Sequence, residues 1–358
     1  MIESYYLEKN AAKVGNSWEL KKVLALEIFK RPALRMLQPD LIKARTRVDL
    51  MLLGGQLGIR GKSLEDGDFE FFPVTAPDSS SPELISVMEE FLQSKPVVEM
   101  AQVRFRCSPD GLIGIWLDCS HQATEEMMTE KRWVKSLLDL GWIVEFGQKA
   151  QHITLDNNTL SIKPTQSHCW LPSFDINNQA IALKSNVASF SQPGLEANRA
   201  LIACLCDLVD EHSIKPNSWV EYGAGYGNLT AALHSLFPSA KGWASESDPT
   251  ATQLLKNNAQ EFFPKVAVEQ VSARVWDKQA ELLVIDPPRS GFSELLKSVL
   301  ESELKPKWIL AVHCHYRGIT SDVPLLQNSP YDLLDWSCAD IFPATPHMEH
   351  ISLWKLSS

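Results

Sequence analysis

The chain has 358 residues, 44% of them apolar and 22% charged, with a formal net charge of −10. That length is too great for one comfortable core, so two domains are expected, and the composition excludes disordered and fibrous classes. The acidic balance argues against a protein that grips nucleic acid over its whole surface, because phosphate contacts need Lys and Arg.

The distribution of charge leaves room for a local basic face. Residues 1–60 hold 11 Lys and Arg against 6 Asp and Glu, which leaves 23 against 38 in the remainder. A solvated surface accounts for the same numbers equally well. The opening Met1-Ile-Glu-Ser-Tyr-Tyr6 has no basic region followed by an apolar stretch, and no run of about 18 uncharged apolar residues occurs. The expectation is therefore a cytoplasmic protein with no membrane association. Seven cysteines, an odd number without a C-x-x-C pair, make neither a disulfide framework nor a metal or iron-sulfur site expected.

In chain order, residues 17–31 read as an amphipathic helix and 45–53 as a strand. Ser81-Pro82 supplies a cap and a first-turn proline, predicting a helix to about Gln93. Ala101, Val103, Phe105 and Cys107 then alternate with Gln102, Arg104 and Arg106, the period of a half-buried strand. Ser108-Pro-Asp-Gly111 turns that strand into a partner over 112–118, a hairpin. A helix is expected over 123–140, ending at Gly141, and short strands flank the turn at Asp156-Asn-Asn158. This order suits an α+β N-terminal domain with an antiparallel sheet over residues 1–190, the boundary falling between 185 and 195.

From about residue 195 the pattern changes. Strands over 219–222, 242–245, 266–271, 282–285 and 309–313 alternate with helical stretches, predicting a doubly wound α/β domain over 191–358 with a mostly parallel sheet. After the first of these strands comes Glu221-Tyr-Gly223-Ala-Gly225-Tyr-Gly227-Asn228. Its glycines permit a sharp turn and close ligand approach ahead of a helix N-terminus. The spacing is G-x-G-x-G followed by Asn, not the G-x-G-x-x-G of dinucleotide sites. Glu246 follows about 20 residues on, at the end of the next strand, where an acidic side chain can take both hydroxyls of a ribose. This combination resembles the class I S-adenosyl-L-methionine methyltransferases.

Asp286-Pro-Pro-Arg289-Ser-Gly291 directly follows the fourth strand, at the end where open α/β sheets bind ligands. Farther on stand Cys314, closing an apolar run, and Phe342-Pro-Ala-Thr345-Pro-His347-Met-Glu349. Together with Ser189-Phe190-Ser-Gln192-Pro193, these motifs make the C-terminal half resemble the RNA uracil-5-methyltransferases, most closely the tRNA-directed branch. The resemblance covers about 187–358. It implies S-adenosyl-L-methionine as cofactor, held by Gln192, Gly223, Gly225, Gly227, Asn228, Glu246 and Asp286. It further implies Cys314 as nucleophile, Glu349 as base, Arg289 and Phe190 on the substrate side, and RNA as partner, tRNA first and rRNA second. No metal is implied.

The chemistry fits those residue types. Uracil C5 is a poor nucleophile until a thiolate adds at C6. A base must then remove the C5 proton so that the thiol can leave. Phe190 or Tyr316 could stack on the flipped base. In the N-terminal domain Arg45, Arg47, Arg104 and Arg106 are candidate RNA contacts, with a plain solvent face as the alternative. Where the family reads S-C-N-P-x-T, this chain has His313-Cys314-His315-Tyr316-Arg317-Gly318, although Asp322 keeps the family's acidic position. That departure motivates two alternatives: methylation of cytosine C5 or another RNA base, and a paralogue that binds RNA without turnover.

Overall fold

The computed structural model describes residues 17–357 apart from 42, 63–68, 75–78, 130, 148–150, 158, 177–178 and 343–346. The chain divides into two compact units, one built on Asp40–Pro172 and Ala182–Leu195, the other on the stretch ending at Pro39, Ser173–Ile181 and the chain from Glu196 onward. Helix α1 (Ser17–Phe29) and the short strand β1 (Arg35–Leu37) come first in the chain, yet they belong to the second unit. A single cut near residue 190 therefore does not separate the two units.

The first unit is an eight-stranded sheet of β2 (Arg47–Leu53), β3 (Gln56–Lys62), β4 (Phe69–Pro73), β5 (Met100–Cys107), β6 (Ile113–Asp118), β7 (Ile143–Phe146), β8 (Gln151–Asp156) and β9 (Thr159–Pro164), with α2 (Pro82–Gln93) following β4 in the chain. Its order is β4-β3-β2-β5-β6-β7-β8-β9, antiparallel except where β6 meets β7. Alternation decides the faces: Val48, Leu50 and Leu52 of β2 and Ala101, Val103 and Phe105 of β5 are buried. They join Leu84, Val87, Met88 and Phe91 of α2, spaced three and four apart along one helix face. Ser81 accepts the Leu84 N–H at 3.2 Å, and Pro82 opens the helix as its sequence predicts. The helix expected over 123–140 is described as α3 (His121–Thr129) and α4 (Lys131–Asp139) on either side of residue 130.

The second unit adds the small hairpin β10 (Phe174–Ile176) and β11 (Gln179–Ile181), then α5 (Leu195–Glu211), β12 (Ser218–Tyr222), α6 (Asn228–Leu236), β13 (Lys241–Glu246), α7 (Pro249–Phe262), β14 (Ala267–Gln270), β15 (Leu282–Ile285), α8 (Ser293–Glu301), β16 (Trp308–His313), α9 (Tyr316–Gln327), β17 (Tyr331–Ala339) and β18 (Glu349–Leu356). The sheet runs β1-β17-β18-β16-β15-β12-β13-β14, parallel throughout except for β18, which is antiparallel to both β16 and β17. All of β15 and β16 is buried, the continuous apolar run of strands covered on both faces. The strand order reverses beside β12, whose neighbours are β13 and β15, so the ligand crevice belongs at the C-terminal ends of β12 and β15.

Helix α1 docks on the second unit through Lys21, Ala25 and Phe29, one residue per turn, and Phe29 stacks on Trp336 with ring centroids 4.5 Å apart. Lys21 Nζ donates to Asp340 at 2.5 Å and to the Phe342 carbonyl at 3.1 Å, with both charged side chains buried. Burial lowers the Lys21 pKa, against the pull of Asp340. Lys21→Met leaves Asp340 buried without its cation, and should lower the unfolding free energy by about 3–5 kcal/mol. Urea denaturation followed by circular dichroism measures this, and the double variant Lys21→Met, Asp340→Asn should recover most of the loss. Among the described residues no helix is long and apolar enough to cross a membrane.

Candidate active site

The glycine loop and the D-P-P turn are built against each other. Asp286 N–H donates to the Tyr222 carbonyl at 3.0 Å. Gly223 has φ +82°, and a Cβ there would lie 2.1 Å from the Asp286 carbonyl oxygen, so only glycine fits the position. Gly225 faces open space and donates its N–H to Glu246 at 3.0 Å, while Gly227 begins α6. Glu246 also accepts the Ser247 and Asp248 N–H groups at 2.6 and 2.9 Å, which fixes its carboxylate at the end of β13. Asn228 donates to Asn198 of α5 at 2.8 Å.

The carboxyl groups of this crevice perturb one another. Burial, then the neighbouring Glu246, pushes Asp286 up to about 7. Glu221 rises to about 8 through burial, opposed by its hydrogen bond from Thr230 and reinforced by Asp286 and Glu246. Glu349, 3% exposed, rises to about 8 through burial and Asp286. Such a set of desolvated acids favours a cation as ligand.

Strand register brings the thiol and the last carboxyl together. β16 pairs with β18 through Val312↔Ile351 and His313↔His350, so the next step along each strand is Cys314 and Glu349. Alternation turns those two to the face opposite His313 and His350. Burial pushes the Cys314 thiol up to about 12, Glu349 and Asp286 push it further, and Arg289 pulls it down. The side chains of Cys314, Glu349, Asp286 and Arg289 are thus close enough to act on one another. His347 packs near His315, ring centroids 5.1 Å apart, and burial with Arg289 lowers it to about 3. Residues 343–346 of the terminal motif, including Thr345, lie outside the described residues.

His315 supplies what sequence reading missed at the nucleophile turn. It is the N-cap of α9, its Nδ1 accepting the Arg317 N–H at 3.0 Å. Asn is a preferred cap and Pro a preferred first helical residue, so His315 and Tyr316 occupy two positions that an Asn-Pro pair would also suit. His is a poor guess as a cap, and no sequence signal marked it.

The first unit holds the other expected residues, and it corrects one group of them. Arg47 and Arg106 are 8% and 1% exposed, so they are not a solvent face available to RNA. Arg47 donates to the Ser191 carbonyl, Arg106 to the Ser189 carbonyl and Arg104 to the carbonyls of Ala188 and Ser189. Arg104 also pairs with Asp49 at 2.7 Å, and Arg47 does so at 2.6 Å. Burial alone would raise Asp49, but Arg47 and Arg104 hold its carboxyl well below the usual range. Burial lowers the Arg45 pKa as well. These arginines build the segment that carries Phe190 and Gln192. Phe190 is 57% exposed over the Arg47 guanidinium, 4.8 Å from centroid to Cζ, while Gln192 is buried and its Oε1 has no hydrogen-bond partner among the described residues.

Among the described residues no group of three or more His, Cys, Asp or Glu is placed to hold a metal ion. No family model matches the chain. An uncharacterized RNA methyltransferase of Bdellovibrio bacteriovorus is 27% identical over 343 residues, covering 91% of this chain and 84% of that protein. The 23S rRNA (uracil(1939)-C(5))-methyltransferase RlmD of Shewanella amazonensis is 26% identical over 193 residues, 52% of this chain, and the match spans only 42% of that relative's length. Among solved structures, the tRNA (uracil-54, C5)-methyltransferase of Pyrococcus abyssi superimposes with a TM-score of 0.67 at 15% identity, over 96% of this chain and 83% of that one, and so shares its fold. The chain has the class I methyltransferase fold and is a relative of the RNA uracil-5-methyltransferases.

Proposed function

We propose that the chain methylates C5 of uridine in RNA with S-adenosyl-L-methionine as donor, Cys314 attacking C6 and Glu349 removing the C5 proton. The observation that carries this reading is the neighbourhood of Cys314, one residue past β16, and Glu349, the first residue of β18, with Asp286 and Arg289 also close enough to act on the thiol. The residues present fit the cofactor: a forced glycine at 223, open space at Gly225, a fixed carboxylate at Glu246 and a set of mutually destabilised acids that a cation would relieve. When bound, that cofactor supplies an electrophilic methyl group on a positively charged sulfur.

The protein's own residues account for the remaining steps. Cys314 sulfur bonds to C6, and the electrons of the C5–C6 double bond move toward the C4 oxygen. Arg289, among the described residues the one cation that acts on the thiol, is available to that developing negative charge. After C5 has taken the methyl group it still carries its hydrogen. Glu349 accepts that proton, the double bond re-forms and the thiolate leaves. The resemblance gives Gln192, Gly227 and Asn228 to the cofactor and Phe190 to the base.

Turnover is favoured over the reading as a binding-only paralogue because the thiol and a carboxyl that could take a proton both stand among groups that act on one another. The substrate expected first is tRNA, as the resemblance implies, with rRNA second. The test is incubation with labelled S-adenosyl-L-methionine and unmodified tRNA or rRNA, followed by nucleoside mass spectrometry. Labelled 5-methyluridine in tRNA is the expected product. Label in 5-methylcytidine, or none in either RNA, would overturn the proposal.

A further inference from the structure

We infer that His313 and Asp322 are positioning residues that lock the Cys314 turn to the Asp286–Gly291 loop; the inference rests on Cys314 being the nucleophile. Three segments meet at the Asp322 carboxylate. From the start of α8, directly after that loop, Phe292 N–H and Ser293 Oγ donate to it, each at 2.8 Å. From the end of β16, His313 Nε2 lies 3.0 Å from Oδ2, and Asp322 itself stands on α9, the helix that begins just after Cys314.

The dyad is sealed from water, with His313 and Asp322 side chains 1% and 0% exposed. Room for it is made by two glycines. Gly291 has φ +84°, and a Cβ there would sit 2.6 Å from Asp322 Oδ1. Gly318 lets α9 approach the ring, since a Cβ there would be 3.1 Å from His313 Cδ2. His313 Nδ1 has no partner among the described residues, so the bond to Asp322 is the ring's directional attachment.

The consequence is mechanical. Cys314 is the residue directly after His313, and Arg289 lies three residues before Phe292, the first of the two residues held by Asp322. A carboxylate with three donors therefore fixes the separation of thiol and guanidinium, although it touches neither substrate nor cofactor. Nucleophilic attack needs the reacting atoms within a narrow range of geometry, and a small misplacement is expensive in rate.

The experiment compares the full chain with His313→Ala, His313→Asn and His313→Gln. The Gln amide can still donate to Asp322 and the shorter Asn amide cannot reach it. Alkylation of Cys314 by iodoacetamide at about pH 8.5, read by peptide mass spectrometry, should quicken about fivefold or more in the Ala and Asn variants as the turn loosens. In methyl transfer their kcat should fall about 10- to 100-fold, with KM for RNA changed by less than about twofold. His313→Gln should stay near wild type in both assays. Unchanged alkylation and kcat in folded His313→Ala or His313→Asn, or a Gln variant as impaired as those two, would overturn the bracket. Alkylation that follows the expected pattern in a protein that methylates no RNA would sink the proposed reaction and leave the bracket standing.

Discussion

Cys314→Ala should lose methyl transfer by on the order of 10⁴-fold or more, because without the sulfur no covalent activation of C5 is possible. Wild-type protein should form a denaturation-stable adduct with RNA containing 5-fluorouridine, since fluorine at C5 cannot be removed as a proton, and the variant should form none. Retained adduct in Cys314→Ala would assign the nucleophile elsewhere. The substitution removes only one partly buried sulfur, so folding should change by about 1 kcal/mol.

The free protein does not hold this thiol ready as a thiolate. Cys314 is pushed up to about 12 from its ordinary value of 9.0, which cuts the thiolate fraction near neutral pH about a thousandfold. Iodoacetamide should therefore react slowly at Cys314 in the free protein, faster as pH rises. Of the groups that set this value, Glu349 and Asp286 oppose ionisation and Arg289 favours it. A ligand cation beside the two carboxyls shifts that balance toward the thiolate, which predicts faster alkylation of Cys314 once the methyl donor is bound, and a smaller effect with its demethylated product, whose sulfur carries no charge. Reactivity is thereby coupled to the presence of cofactor.

Much of the second unit's sheet was legible because strands buried on both faces read as unbroken apolar runs, as Leu282–Ile285 and Trp308–His313 do. The allegiance of α1 was not. Lys21, Ala25 and Phe29 make a stripe that announces a core without saying which one, and the partners Trp336 and Asp340 lie over 300 residues away. Three-residue β1 is too short to carry a period at all. In the candidate site, motif spacing pointed to Cys314 and Glu349, whereas their common face depends on the β16–β18 register, a long-range property. The arginines misled for a related reason. Alternation with apolar residues looks like a solvent face, and the carbonyls of Ala188, Ser189 and Ser191 that take these side chains inward leave no mark in a sequence.

Glu349→Gln should stop the reaction after methyl transfer and accumulate the methylated adduct. Gln preserves the shape of the side chain and cannot accept the C5 proton, so the double bond cannot re-form and sulfur stays on C6. Turnover should fall about 10²- to 10⁴-fold, the usual contribution of a positioned base. Mass spectrometry of the trapped peptide should find Cys314 carrying a methylated nucleotide, and unimpaired turnover would remove Glu349 from the mechanism. The pH response follows from burial and Asp286, which lift Glu349 to about 8 from an ordinary 4.5. Only the carboxylate accepts a proton, so where the elimination limits turnover kcat in the wild type should climb with pH through about 8, and this limb should vanish in the variant's residual rate. The same shift bears on stability. The folded state holds this proton more tightly than the unfolded chain, so wild-type stability is lost as pH rises from 4.5 through about 8. Glu349→Gln is free of that penalty: its melting temperature should match wild type near pH 4.5 and exceed it at pH 8 and above, and a variant no more stable than wild type there would mean that the carboxyl ionises at its ordinary value.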